Sequence, residues 1–572
     1  MRSFFISLLI ILLIDLSMQR CASVASPNGG PRDTIPPSLI ESYPANGTTS
    51  FKEQEFKLTF SEFVKADKIQ QQLIITPRTE NKYKTTAKKN SIILKFTDPF
   101  EDSTTYNFNF ADGITDITEN NPAVNLSLAF STGAYIDSLS IEGNVIDLFK
   151  QENAKGYTVG LYPITDSLDF FKEKPVYFTT TSDSGQFQLS YLKSGLYKLL
   201  VFNDDNRNIT FDPETEQHGF IPDTVQLDST IVLDQSISTL LQNVKPITFI
   251  NSRPTGPYVE LKYSKQIDDY TIAPDFLQHS LTGESKEVIR IYKTEEIPVG
   301  DSLTIYATAL DSLGNQTEDT IKTAFITSNR KPSKFSLSVD SKGDYLTDNY
   351  SLQVRFSKPI QLIDTSQLFI ERDSTFEWQL NPTFTWNENR TQLDIQSNLN
   401  RKELIDTLLL SIPPDTSQML LDTSQAQTEP ATPEITAPTE EDLTAIQFVL
   451  NDGAFISIES DTSARESFYI PYKESTAFGT VKLSMLTNYQ SYIVQLVDNN
   501  NIARYSARNN DLVNFPRVTP GTYSIRVLID NNQDGKWSAG NLLLDIPPED
   551  IYLHEEETSV RENWVLEIDI SF

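Results

Sequence analysis

Residues 58–64 read LTFSEFV, residues 261–267 read LKYSKQI and residues 354–360 read VRFSKPI. Each copy runs apolar, polar, aromatic, serine, charged and, two positions later, β-branched aliphatic. Side chains alternate faces along an extended strand, so Leu58 shares a face with Phe60, Leu261 with Tyr263 and Val354 with Phe356. The serine then starts the turn out of the strand. The expectation is one strand ending repeated in three units, with Phe60, Tyr263 and Phe356 buried.

The flanking sequence has the same character. FKLTF (56–60), SIILKF (91–96), YNFNF (106–110) and LSLAF (126–130) alternate apolar and polar residues between turns rich in Asn, Asp and Gly. Helical periodicity is scarce, and 65–72 is the sort of short segment that could hold it. The fold class is all-β.

A second, longer repeat adds detail. GLYKLLVFND (195–204) aligns without gaps on GTYSIRVLID (521–530), matching Gly195, Tyr197, Val201 and Asp204 with Gly521, Tyr523, Val527 and Asp530. Upstream, EGNV (142–145) corresponds to FGTV (478–481). One small β-domain thus occurs twice, over 137–245 and 474–572. The other units fall at 34–133, 246–330 and 331–473, and five sandwiches arranged end to end are expected. Residues 411–442, rich in Pro, Thr and acids, offer little apolar surface to offset ordering entropy and read as a disordered insertion in the fourth unit.

The chain opens with MRSFFISLLIILLIDLSMQRC, a basic residue followed by an apolar stretch too short to span a bilayer comfortably. Residues 1–20 read as a signal peptide. Cys21, the one cysteine of the chain, reads as the lipidation site, and residues 21–36 read as a flexible tether. Met18, Gln19 and Arg20 stand where lipoproteins favour small residues, so an ordinary secretory leader with an incidental cysteine is the alternative. With Cys21 acylated, no disulfide can form, and stability rests on sheet pairing and packing.

The formal charge of −31 over 572 residues argues against nucleic acid and anionic headgroups as partners. Divalent cations are the natural ligand class for such a surface. The mix of 38% hydrophobic and 10% aromatic residues suits packed cores and is too polar for a membrane-embedded protein.

The segment GGPRDTIPPSLIESYPANGTTSF (29–51) resembles the immunoglobulin-like domain lipoproteins of Bacteroidetes. The first unit is similar to the SbsA-type immunoglobulin-like fold. The two longer repeats are similar to the prealbumin-like or carboxypeptidase-regulatory-like β-sandwich, with its G-x-V start and G-x-Y strand. The resemblance implies an outer-membrane lipoprotein and brings no catalytic residues. Ala22, Ser23, Val24, Ala25 and Ser26 carry no charge where surface-exported lipoproteins of that phylum often have an acidic run. The periplasmic and cell-surface faces of the membrane therefore both stay open.

Catalytic signals are thin. His218, His279 and His554 are the only histidines and sit in different units without a shared motif. No H-E-x-x-H, P-loop or G-x-S-x-G occurs, so the chain reads as a non-enzyme. The constellation with chemical content follows the G-x-Y strand. Asp530, Asn532 and Asp534 alternate before Gly535, as in the first half of a calcium loop. In the other copy Asp204, Asn206 and Asn208 alternate, with Ile209 at the glycine position and Asp212 within reach as a further ligand. An Asx-rich turn that bonds its own backbone without metal is the competing reading. Phe211 and Trp537, at matching offsets, read as core plugs.

The functional expectation is a non-catalytic scaffold or partner-binding subunit of an envelope complex, such as an outer-membrane assembly or transport machine. It would be tethered by lipid and bound to other envelope proteins. The alternative is a glycan-binding or adhesive surface protein. That reading asks for clustered exposed aromatics, which Trp378, Trp386, Trp537 and Trp564 do not suggest from their spacing.

Overall fold

The computed structural model describes residues 33–572 apart from 166, 284, 295–296, 328–332, 342–348, 374–375, 381, 399–446 and 470–474. The leader, Cys21, the tether as far as residue 32 and the insertion 411–442 therefore lie outside the described residues. The fold is all-β, a series of β-sandwiches. Ile69–Gln72 is the one α-helix among the described residues.

The strand-exit repeat has one structure in all three copies. The strands Glu55–Phe60, Tyr258–Tyr263 and Asn349–Phe356 each end on the signature aromatic, and Phe60, Tyr263 and Phe356 are buried as expected. The serine that follows locks the chain to the preceding strand through two bonds. The Ser61 amide donates to Ser38 O at 2.9 Å, while Ser61 Oγ accepts from Ser38 N at 3.1 Å. Ser264 does the same with Thr248, and Ser357 with Ser336. The closing aliphatics Val64, Ile267 and Ile360 donate their amides to the carbonyls of Lys89, Lys286 and Arg390. Those three basic residues all stand in the left-handed region, at φ 53, 53 and 52°.

Each of these strands lies second in a four-stranded antiparallel sheet. In the first unit the order is Leu39–Tyr43, Glu55–Phe60, Ser91–Phe96 and Tyr83–Lys88, with Ile74–Thr76, Thr105–Asn109 and Ser127–Ser131 forming a separate sheet. The inward positions of both sheets make one aromatic core. Phe56 centres on it, 4.9 Å from Phe108 and 5.0 Å from Phe130 between ring centroids. Each fully buried aromatic of this kind contributes about 2–3 kcal/mol. Separate apolar clusters fill the regions 247–325 and 335–455 in the same manner.

The longer repeat also matches strand for strand. Leu139–Asp147 runs antiparallel to Gln186–Leu192 and parallel to Ile231–Val232 and Ile237–Leu241. Gly479–Leu486 runs antiparallel to Leu512–Val518 and parallel to Val565–Ser571. Gly195–Phe202 pairs with Thr158–Pro163 and with Gln217–Phe220, as Gly521–Ile529 pairs with Tyr492–Val497 and with Ile551–Leu553. The G-x-Y glycine has a steric reason. The tyrosine ring lies over it and the hydroxyl reaches back four residues, Tyr197 to Lys193 O at 3.0 Å and Tyr523 to Thr519 O at 2.9 Å. A Cβ on Gly195 would stand 3.2 Å from that ring.

The described chain forms two compact units, one of residues up to 212 with 216–241 and one of 213–215 with 242–572. The break at 241/242 falls slightly before the boundary expected at 245. Inside the second unit the expected end-to-end order does not hold. Asn541 of the final sandwich donates to Leu313 O at 3.3 Å and to Asn315 Oδ1 at 3.1 Å, and Gly540 O accepts from Gln242 at 3.1 Å. The final sandwich therefore docks on the 246–330 segment. A buried Asn with three bonds satisfied offsets its desolvation only in that geometry, and sequence order carries no sign of it.

Candidate functional site

The two acidic loops follow the same strand in the two copies of the longer repeat, and they fold alike. In the first, Asp204 Oδ1 accepts from Asn208 N at 3.0 Å and Asp204 Oδ2 from Ile209 N at 2.9 Å. Asn206 Oδ1 also accepts from Asn208 N, and Asn208 Oδ1 from Thr210 N. In the second, Asp530 Oδ1 accepts from Asp534 N at 3.2 Å and Oδ2 from Gly535 N at 2.9 Å. Asn532 Oδ1 accepts from Asp534 N, and Asp534 Oδ1 from Lys536 N. The structure thus brings each expected triad together on one turn, held by the Asx bonds of the competing reading.

The fourth and sixth positions of both turns are left-handed: Arg207 and Ile209 at φ 58 and 59°, Gln533 and Gly535 at φ 59 and 82°. Glycine takes that conformation freely, whereas a β-branched residue is strained there by about 1–2 kcal/mol. Ile209→Gly is therefore expected to stabilise the first unit by about 0.5–1 kcal/mol, after the entropy glycine adds to the unfolded chain is subtracted. A lower melting temperature for that variant would mean that Ile209 contributes more by packing than it loses by strain.

The loops differ in what closes them. Asp530 is buried, which alone would raise its pKa, yet bonds from Ser491 Oγ at 2.5 Å and from the Gly535, Asp534 and Gln533 amides bring it below the ordinary aspartate value. Both oxygens of Glu549 fold back on this loop, accepting from Asn532 N at 3.1 Å and Ser538 N at 2.7 Å. Asp545, the next carboxylate along the chain after Asp534, is an exposed left-handed cap on the 3-10 turn Leu542–Leu544.

In the first loop the returning carboxylate is Glu216. Its Oε2 accepts from Asp212 N at 2.9 Å, while Oε1 is buried without a hydrogen-bond partner. Glu216 is 1% exposed. Burial, followed by the charges of Asp204, Asp212 and Asp205, pushes its carboxyl up to about 7 against the opposing Asp212 amide. The Tyr162 hydroxyl and both ring nitrogens of His218 are likewise buried and unpartnered. Burial drives the His218 imidazole down to about 4, so it is neutral near pH 7. Spacing alone does not single out Glu216, because it lies one residue beyond the twelfth loop position, where a calcium loop carries its Glu.

The aromatic plugs behave unequally. Phe211 is buried, its ring 4.8 Å from His218 and 5.9 Å from Phe202. Trp537 is half-buried and donates to Glu549 O at 3.1 Å. Trp386 packs in the 335–455 cluster, 5.8 Å from Phe356, and Trp378 lies against the same cluster. Trp564 is exposed under the Arg561 guanidinium.

Comparison with known proteins bears on the fold. Residues 33–132 match the family described as bacterial Ig-like domain, so that segment is an immunoglobulin-like domain. No curated protein matches the sequence. Among solved structures, the chain is similar to the human desmocollin-1 ectodomain at 8% identity, covering 52% of this chain and 60% of that one with a TM-score of 0.14. The E. coli alpha-2-macroglobulin is similar at 8% identity over 86% of this chain and 41% of that one, with a TM-score of 0.13. A streptococcal ancillary pilin is similar at 12% identity over 44% and 81%, with a TM-score of 0.14. The chain thus spans less than two thirds of the first two structures.

Proposed function

We propose that this protein is a non-catalytic, lipid-anchored outer-membrane scaffold that binds other envelope proteins through its β-sandwiches. Cys21 carries the lipid and residues 21–36 hold the sandwiches off the membrane. The observation that carries partner binding is a short apolar run left on the surface of the final sandwich. Leu543, Leu544 and Ile546 are 40, 58 and 48% exposed. They ride on a turn fixed from behind by buried Leu542 and by Asn541, whose Oδ1 accepts from Leu543 N at 3.0 Å. Apolar side chains held rigidly in water lose little entropy when a partner covers them. The occupant is a protein surface with an apolar recess, in an envelope complex.

Affinity purification from detergent-solubilised membranes tests this. A stoichiometric partner is expected with the wild type and is expected to drop at least tenfold with Leu543→Ser/Leu544→Ser/Ile546→Ser. Cys21→Ala is expected to move the protein to the soluble fraction, since acyl chains supply most of the attachment. A Cys21→Ala protein that still sediments fully with membranes, or a triple variant that retains its partner, would sink the corresponding half of the reading.

A further inference from the structure

We propose that the free edge of the strand Val565–Ser571, in the final sandwich, takes a further strand from an envelope protein: an extended segment with Lys or Arg at alternate positions. The proposal rests on the scaffold reading for the partner's setting. Its variants differ from those of the 543–546 turn, so either reading can fail alone.

The first copy of the longer repeat has the same edge filled. There Ile237–Leu241 lies between Leu139–Asp147 and Gln217–Phe220, with Gln217 opposite Leu241 and His218 opposite Leu240. In the final copy the equivalent strand, Val565–Ser571, pairs only with Gly479–Leu486 among the described residues. Ile237, paired with Val145, is 5% exposed, whereas its counterpart Leu566, paired with Val481, is half-buried. The difference traces to one position. Gly219 opposes Val201 and Tyr552 opposes Val527, the matched valines of the two G-x-Y strands. A Cβ on Gly219 would stand 2.3 Å from the Ser238 carbonyl oxygen, so glycine is what lets those strands close. Tyr552 carries a side chain at that point, and its ring stacks instead on Phe572, 5.4 Å between centroids.

The edge itself sets what fits it. Trp564 O accepts from Thr480 N at 2.8 Å, and Phe572 N donates to Leu486 O at 3.3 Å. The even-numbered backbone groups therefore face Gly479–Leu486, and those of Val565, Glu567 and Asp569 face the other way, a template for an incoming strand. Leu566 and Ile568 are half-buried although Val481 and Leu483, beside them in the sheet, are fully buried. An added strand finishes covering that end of the core, and its backbone bonds supply affinity. On the opposite face Glu567 and Asp569 are exposed, Glu567 lying 3.0 Å from Lys482. Side chains of a neighbouring strand stand about 5 Å from these carboxylates, where Lys or Arg attracts and Asp or Glu repels. The same rule disfavours a second copy of this chain, because antiparallel pairing centred on Ile568 sets Glu567 against Asp569.

The probe is a capped seven-residue peptide that alternates lysine with valine between terminal threonines. Its binding to the full chain is read by fluorescence anisotropy and by hydrogen exchange at single amides. The Leu566, Ile568 and Ile570 amides are expected to be protected with or without peptide. Those of Glu567 and Asp569 are expected to exchange fast in the free chain and to slow at least tenfold with the peptide bound. The same peptide with glutamate for lysine is expected to bind at least tenfold more weakly. Asp569→Pro removes one outward amide and spares the inward ladder, a change that edge strands tolerate. It is expected to weaken binding at least tenfold with little change in melting temperature. Asp569→Lys, which keeps that amide, is expected to narrow or reverse the preference between the two peptides. Leu543→Ser/Leu544→Ser/Ile546→Ser is expected to bind the peptide like the wild type, and a loss there would move the peptide to the turn and overturn the edge assignment. No binding at millimolar lysine peptide, or no slowing at Glu567 and Asp569, would also overturn it and leave the two acids as guards against pairing. Equal binding of both peptides would overturn the basic partner. Self-association that protects the same amides without peptide would give the edge to a second copy and overturn the proposal too.

Discussion

Lys358→Ala is expected to cost the 335–455 sandwich about 3–5 kcal/mol, the typical penalty for removing one partner from a buried ion pair. Lys358 is fully buried and bonds Glu459 at 2.5 Å and also Asp461. Burial alone would lower its pKa, but the bonds to Asp461 and Glu459 raise it, so the ammonium is held charged. Truncation leaves two carboxylates facing each other, with Glu459 almost entirely enclosed. Hydrogen exchange reads the loss locally: the amides of Leu352, Val354, Leu393 and Ile395 are expected to lose protection by roughly two to four orders of magnitude. Lys358→Met/Glu459→Gln/Asp461→Asn, which removes all three charges, is expected to recover most of that protection. A single variant that exchanges like wild type would show the ion pair to be dispensable.

Gly479→Ala is the second large effect, at about 3 kcal/mol, on the final sandwich. A Cβ there would stand 2.3 Å from Val560 Cγ1 and 2.7 Å from the Arg561 carbonyl oxygen. The valine can rotate, but the backbone oxygen cannot withdraw without breaking the parallel pairing to Val565–Ser571. Gly143, its counterpart, would meet Leu233 and Phe187 side chains at 2.9 Å. Those are ends of flexible groups, so Gly143→Ala is expected to cost less than Gly479→Ala. Melting midpoints of the two full-length variants check the order, and equal losses would refute the distinction between backbone and side-chain obstruction.

What the sequence disclosed follows from which forces act locally. The strand-exit repeat was legible because a strand face, an aromatic and a turn serine are neighbours in the chain. What the serine does was not legible, because Ser38, Thr248 and Ser336, its partners, lie 16–23 residues upstream. The fifth position of the motif was read simply as charged. Lys265 and Lys358 in fact enter buried ion pairs, the first with Asp311 at 2.6 Å. Glu62 instead meets burial and then the charges of Asp116 and Asp33, which raise its pKa. The acidic loops were legible as turns because Asx bonds span two to five residues. Glu216 and Glu549 were not, since their return depends on loop lengths that differ between the copies. The docking of Asn541 on the 311–315 loop is a tertiary contact between two sandwiches of the second unit, invisible to any local pattern.

The serine lock, the left-handed basic residue and the closing aliphatic of each copy all lie within one sandwich. Each sandwich therefore carries its own fastening, with no residue of a neighbouring sandwich in it. The Asn541 contact has the opposite property, because it joins residues more than two hundred positions apart and only in one spatial arrangement. The chain thus holds two kinds of contact: fastenings complete within each sandwich, and a junction that exists only where two sandwiches distant in sequence meet.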